Sequence, residues 1–498
     1  MTGFIDARTL DAASGLEPDL AIIGGGPAGI SLALALADTK LNILLLESGG
    51  LNFDPQEQKM YAGSQSGQHY TALDAGRLRF LGGSTNHWGG WCRPLDAIDF
   101  ERRDWMPHSG WPFPRSALDA YYPRAQKLVE AGPWLYDKAG ASVASLGPQL
   151  QLGDGGVYTS WFQFSKTRDS NLPTYFGHRY QDDLKRATHV KPLLHANVTG
   201  IRLTRDAQRV DHLDVATLSG KHFTIRPRIT VLACGGMENV RLLLASNDVM
   251  TGGIGNQNDL VGRFFADNPI PRDVANLVSF AGPLAPYYGS NLALTNGPIL
   301  QATFAPSDAF RRARGLTASL TTVEQPLELD ETGKAAVITT AIALGVDASN
   351  AKVYSLGCGM ELLPDPERRL TLTGEKDALG LPRLKLNMRM AEADFKHYHA
   401  TLTELGRQLL VSGTGMLKIN RRESWSQNMD WGNHHLGTTR MHDDPKQGVV
   451  DANSQVHGVG NLYVAGSSVF PTYSASNPTL NLIALTLRLA DHLKKVMS

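Results

Sequence analysis

Three short stretches of this chain hold residue types and spacings fit for chemistry. The first is Gly24-Gly25-Gly26-Pro27-Ala28-Gly29; the second is His434-His435-Leu436-Gly437-Thr438; the third runs from Gly466-Ser467 to Asn477-Pro478-Thr479. A glycine turn of the first kind binds a dinucleotide. Gly24 allows the turn, Gly26 lets backbone N–H groups approach a pyrophosphate, and Gly29 permits close helix–strand packing. Glu47 lies eighteen residues past Gly29, where its carboxylate can accept from ribose hydroxyls and would repel a 2′-phosphate. FAD and NAD share this adenosine diphosphate half, so the turn does not separate them.

Histidine is the side chain best suited to take a proton near neutral pH. In an extended segment His434 and His435 point to opposite sides, so only one is expected to face a site. Taken alone, such a pair is packing more often than catalysis. His442, Asp443 and Asp444 match no zinc spacing, and no metal is expected. Asn477 before Pro478 reads as a helix start, with Asn477 at the cap and Pro478 at the first helical position. The helix then runs toward Leu493, with Leu480, Ile483, Ala484, Leu487 and Ala490 at helical spacing and enough apolar surface to be buried. If Asn477 caps that helix, its amide is less free to meet a substrate.

The elements that must carry these stretches follow from apolar patterning. Leu20 to Ile23 reads as a buried parallel strand, Ala28 to Ala37 as a helix and Leu41 to Leu46 as the returning strand, a βαβ unit closed by Glu47. The segment from Gly49 to Gly90 is polar and glycine-rich, unsuited to a helix or central strand. Its run Gly82-Gly83-Ser84-Thr85-Asn86-His87-Trp88-Gly89-Gly90 permits close approach to a ligand. A helix is expected near Ser116 to Glu130, and strand pairs over Val190 to Leu203 and Asp214 to Leu232. The strand Ile229 to Ala233 leads through Cys234-Gly235-Gly236 into a helix ending at Leu244. From about 275 to 430 strands are expected, including Ala335 to Gly345 and Arg369 to Thr373, together with a helix from Glu392 to Leu410.

At 498 residues the chain exceeds a single core, so at least two domains are expected. Apolar residues make up 42% and charged residues 19%, a soluble globular balance. Lysine plus arginine and aspartate plus glutamate are 48 each, which implies no nucleic-acid partner. Three scattered cysteines give neither a disulfide framework nor a metal motif and fit a reducing compartment. The acidic first eighteen residues do not read as a secretory signal. The glycines interrupting the uncharged run 20–37 argue against a membrane span. A soluble, cytoplasmic protein is expected, its oligomeric state undetermined.

Together these stretches resemble the glucose–methanol–choline (GMC) oxidoreductases, flavoproteins that oxidise alcohols. The resemblance rests on Gly24 to Gly29 with Glu47, on Gly82 to Trp88, on Ala233 to Leu244 and on His434 through Asp491. It spans nearly the whole chain and is weakest from about 275 to 360. The Gly437-Thr438-Thr439-Arg440-Met441 run and the loop Gly82 to Trp88 look closest to the bacterial branch containing pyranose oxidases and related sugar oxidases. The resemblance implies an α/β fold, α+β overall. A Rossmann-like FAD-binding domain would be assembled from 15–100, 190–275 and 445–498. A substrate-binding domain with an antiparallel sheet and helices would comprise 101–189 and 276–444. By spacing to Gly437-Thr438 it selects His434 as catalytic base, and it places the family's second catalytic position on Asn477. Val198 matches a backbone contact to adenine. FAD would be held by Gly24, Gly26, Gly29, Glu47, Gly82, Gly83, Ser84, Asn86, His87, Trp88, Val198, Gly466, Ser467, Pro478 and Thr479. His87 stands where pyranose oxidases carry a covalent flavin link, but its neighbours differ and the link is not favoured. The implied reaction oxidises an alcohol of a sugar, glycoside or polyol, with hydride passing to flavin N5 and O2 or another acceptor taking the electrons. An aminosugar or aromatic alcohol is the alternative substrate, and an NAD-dependent dehydrogenase the alternative of another class.

Overall fold

The computed structural model describes residues 3–10, 15–153, 155–166, 172–295, 297–427 and 429–498. Its helices and sheets are mixed, and two sheets dominate. The first has six parallel strands in the order Ile5–Asp6, Val190–Leu194, Ile43–Leu46, Leu20–Ile23, Ile229–Leu232 and Leu462–Val464. Leu20–Ile23 and Ile43–Leu46 are buried at every position, as runs covered on both faces must be. The intervening helix is Pro27–Ala35, and Thr479–Met497 packs against it. At the C-terminal ends of a parallel sheet the loops leave a crevice, and the Gly24 turn opens there.

The second sheet is antiparallel. Its path runs Gly415–Ile419, Ala275–Ser279, Lys352–Met360, Ser319–Leu327, Ile299–Pro306, Val157–Phe164 and Trp91–Cys92, with Leu292–Ala293 added beside Ile299–Pro306. Helix Glu392–Val411 covers it, burying Phe395, Tyr398, Leu402, Leu405 and Leu409. The antiparallel pair Pro269–Pro271 and Met429–Trp431 brings the segments before Pro269 and after Trp431 side by side.

Several expectations are corrected. Ala335 to Gly345, read as a strand, lies in the helix Glu331–Leu344. Asp330 caps its start by accepting from Gly333 N–H at 2.7 Å, and Gly345 ends it at φ 67°. The region 116–130 is split into a 3₁₀ turn Arg115–Leu118 and a helix Tyr122–Leu128. Val190 to Leu203 breaks at His195: Val190–Leu194 joins the parallel sheet, while Asn197–Leu203 pairs with Val210–Ala216 in a separate antiparallel sheet. Among the described residues no helix is long and apolar enough to cross a membrane.

Candidate active site

Segments near both ends of the chain border one cavity. Its walls include Gly24, Gly26, Glu47, Gly83, Ser84, His87, Trp88, Val198, His434, Gly466, Ser467, Asn477, Pro478 and Thr479. Gly29, Gly82 and Asn86 stand behind the wall. A Cβ on Gly29 would strike the Gly24 carbonyl, so that glycine serves packing. Gly82 adopts φ 98° beside Asn86, whose amide donates to the Leu81 carbonyl at 2.9 Å and holds the turn.

The glycine turn has the shape a diphosphate needs. Gly24 has φ 111°, and a Cβ there would lie 2.6 Å from the Ala233 carbonyl oxygen. A Cβ on Gly26 would meet nothing within 4 Å, projecting into the open cavity. No side chain caps the helix that starts at Pro27, so its free N–H groups and positive end face the cavity. Glu47 accepts from Gly25 N–H at 2.9 Å and Gly49 N–H at 2.8 Å. These groups fit the adenosine diphosphate half of FAD: a cradle lacking Cβ atoms, an uncapped helix start and a carboxylate for a ribose. The second uncapped helix start, at Thr479, suits the electron-rich end of a flavin.

At the far end the two histidines separate. His435 packs its ring near Phe265 and Tyr70, with centroids 6.0 and 6.5 Å apart. His434 keeps 15% of its side chain exposed. Its loop is fixed from three sides. Leu436 exchanges backbone hydrogen bonds with Ala266, Gly437 turns at φ 76° against the Phe264 carbonyl, and Thr438 donates to Gly236 O at 2.6 Å. The Gly-Thr pair thus has a mechanical reason: only glycine fits that turn, and the hydroxyl anchors it.

Hydrogen bonds assign the His434 proton. Asn268 donates both amide hydrogens, to Met360 O at 2.9 Å and Ser474 O at 3.1 Å, so its Oδ1 must accept. That oxygen lies 2.8 Å from His434 Nδ1, which therefore carries N–H. Nε2 is left with its lone pair, 3.2 Å from Asn477 Nδ2. Burial pushes the His434 imidazole down to about 4, and burial with nearby Arg77 pushes His435 to about 3. Asn477 corrects the capping expectation. Its side chain caps nothing, Pro478 occupies the cap position, and the amide turns to His434 instead.

Polar residues that no motif announced complete the wall. Arg77 and Arg79 lie over the Tyr61 ring at 3.8 and 4.6 Å and pair with Glu238 at 3.2 and 3.4 Å. Arg241 joins Glu238 at 3.2 Å and Asp377 at 2.6 Å. Burial drives the Glu238 carboxyl up, but the three guanidiniums overcome it and hold it at about 2. Asp267 and Asn268, beneath His434, were also missed. Their only sequence signal is two polar residues inside an otherwise buried stretch, Phe264 to Pro269, which is visible only once burial is known.

The C-terminal model of the family described as GMC oxidoreductase matches residues 364–486, which include His434 and Asn477. The fructose dehydrogenase large subunit of Gluconobacter japonicus is 31% identical over 52% of this chain, a match spanning 46% of its own length. The 2-methyl-1,2-propanediol dehydrogenase of Mycolicibacterium austroafricanum is 22% identical over 97% of this chain and 96% of its own. Among solved structures, a pyridoxine 4-oxidase superposes with a TM-score of 0.58 at 19% identity, over 96% of this chain and 99% of the other, a likeness of fold.

Proposed function

We propose that this chain, a member of the GMC oxidoreductases, oxidises an alcohol group of a sugar, glycoside or polyol to a carbonyl with FAD as cofactor. The observation that carries the reading is the pair His434 Nε2 and Asn477 Nδ2, 3.2 Å apart on the wall of a cavity whose other end is built for a dinucleotide. The diol and sugar dehydrogenases among the relatives support the substrate class.

FAD, when bound, supplies the hydride acceptor. A substrate hydroxyl placed between Nε2 and Nδ2 gives its proton to Nε2, the nitrogen left unprotonated by the bond from Nδ1 to Asn268. Asn477 donates to the same oxygen as negative charge grows on it. An acceptor and a donor fixed before the substrate arrives need no reorganisation during the step. Gly24, Gly26 and Glu47 would hold the adenosine diphosphate half, with Gly83, Ser84, Val198, Gly466, Ser467, Pro478 and Thr479 along the rest. His87 lines the cavity, and we favour a non-covalent flavin there. We also propose that 15–100, 190–275 and 445–498 form one discontinuous cofactor-binding unit. Most strands of the parallel sheet support it, although Ile5–Asp6 extends that sheet beyond those bounds.

Anaerobic mixing with a panel of sugars, glycosides, polyols, aminosugars and simple alcohols tests the reading through bleaching of flavin absorbance. At least one should bleach the flavin. His434→Ala should keep its yellow colour and slow bleaching about 10²- to 10⁴-fold. A colourless protein that needs NAD, or unchanged bleaching in His434→Ala, overturns it. Acid precipitation decides His87: flavin released to the supernatant agrees with non-covalent binding.

A further inference from the structure

The His434 loop is tied to a carboxylate that has no cationic side chain of its own. Asp267 is fully buried and, among the described residues, pairs with no lysine or arginine. It accepts from Tyr70 O–H on Oδ2 at 2.6 Å and from the backbone N–H groups of His434 and Asn268 on Oδ1 at 2.8 and 2.7 Å, and the Asn433 backbone N–H adds to them. These donors favour the ionised carboxylate and oppose the burial that favours its neutral form. The cationisable group closest to it in the site is the His434 imidazole, with Nδ1 3.9 Å from Oδ1.

Resting on the proposed alcohol oxidation, we propose that Asp267 is a positioning residue whose buried negative charge stabilises His434 once Nε2 has taken the substrate proton. Tyr70 sets the strength of that charge. Asn268 fixes which nitrogen receives the proton; Asp267 determines how well the ring holds it. The other titratable groups around Asp267 are few. Tyr473 donates to its backbone carbonyl at 2.9 Å, the His435 ring lies tilted beside Tyr70, and Arg77 acts on both Tyr70 and His435. Glu361 and Arg368 lie beyond Tyr473.

A pH dependence follows. Burial, opposed by the Tyr70 and backbone hydrogen bonds, raises Asp267 to about 7, while His434 sits at about 4. The base is therefore unprotonated throughout neutral pH, and an acid limb near 7 must come from another group. The rate of flavin bleaching by substrate in the holoenzyme should rise with pH through about 7. Asp267→Asn should be slower by at least about tenfold, the equivalent of one pKa unit lost by the imidazolium, and flat across that range. Asp267→Glu should restore part of the limb. Tyr70→Phe keeps the carboxylate but weakens its anion, so its limb should move to higher pH.

A second readout does not depend on turnover. In ¹⁵N-histidine spectra of the holoenzyme, the His434 signal is the one lost in His434→Gln. It should step near pH 7 in the wild type and lose that step in Asp267→Asn. An acid limb and a step unmoved by Asp267→Asn overturn the proposal. If that variant does not retain flavin, an unmoved limb and step in Tyr70→Phe overturn it instead. If His434→Ala bleaches like the wild type, the underlying reading has failed; if only the Asp267 and Tyr70 variants behave like wild type, this inference alone has.

Discussion

Asn477 is one side chain with two available roles, and in the structure its amide caps nothing and meets His434. A helix start usually takes the amide of its Asn for its own N–H groups. Here the helix begins at Thr479 uncapped, and the amide points to His434 Nε2. The free N–H groups are then available to a negatively charged partner in the cavity, and the amide to a substrate oxygen. Asn477→Ala should slow flavin reduction by about 10²- to 10³-fold, the usual loss for one donor to a developing oxyanion. Asn477→Asp should be worse than Ala, although it is nearly isosteric. Its carboxylate would sit beside the growing negative charge and would hold His434 protonated, removing the base. Anaerobic stopped-flow reduction of the three proteins gives the order. An Asp variant faster than the Ala variant contradicts this placement of charge.

At the scale of elements, the glycine turn divides its work between shape and access, and substitution can separate the two. Gly26 has φ −81°, a conformation open to any residue, and its added Cβ would enter the cavity. Gly26→Ala should therefore melt within about 1 kcal/mol of wild type as the apoprotein. Its FAD affinity should fall more than tenfold, because the methyl occupies the approach of the pyrophosphate. Gly29→Ala pushes its methyl into the Gly24 carbonyl, a backbone clash between helix and strand. Overpacking of that kind costs about 1–3 kcal/mol, so this variant should lose stability before any ligand is added. Thermal melts of the apoproteins and fluorescence titration with FAD give both numbers. This unit was legible because glycine spacing and apolar runs are local signals. The strand expected over 335–345 is instead part of helix Glu331–Leu344, because the cap at Asp330 and the stop at Gly345 outweigh the strand pattern around it. Asp267, Asn268, Tyr70, Arg77 and Arg79 could not be read at all. Each acts on a partner more than 150 residues away, and sequence spacing carries no record of such contacts.

At the scale of the whole molecule, the cavity is walled by segments from both ends and the middle of the chain, so local stability there belongs to the global fold. Glu238 is the clearest knot. It lies on helix Gly235–Ala245 and gathers Arg77 and Arg79 from the glycine-rich segment and Arg241 from its own helix, which in turn binds Asp377. With its folded value held at about 2, below the ordinary 4.5 of a glutamate, the folded state binds fewer protons than the unfolded chain between those values. Stability from this group is complete above about pH 4.5 and is lost as pH falls toward 2. Removing the charge leaves Arg77 and Arg79 buried without the carboxylate they pair with, while Arg241 keeps Asp377, a loss of about 3–5 kcal/mol in comparable buried pairs. Glu238→Gln should thus unfold at lower denaturant concentration at pH 7. Its remaining stability should fall less steeply than the wild type's between pH 4.5 and 2, because the group that titrates is gone. Urea melts at pH 7, 4.5 and 3 measure both effects. Parallel pH slopes for the two proteins would mean that Glu238 is not the carboxylate on which the acid stability of this fold depends.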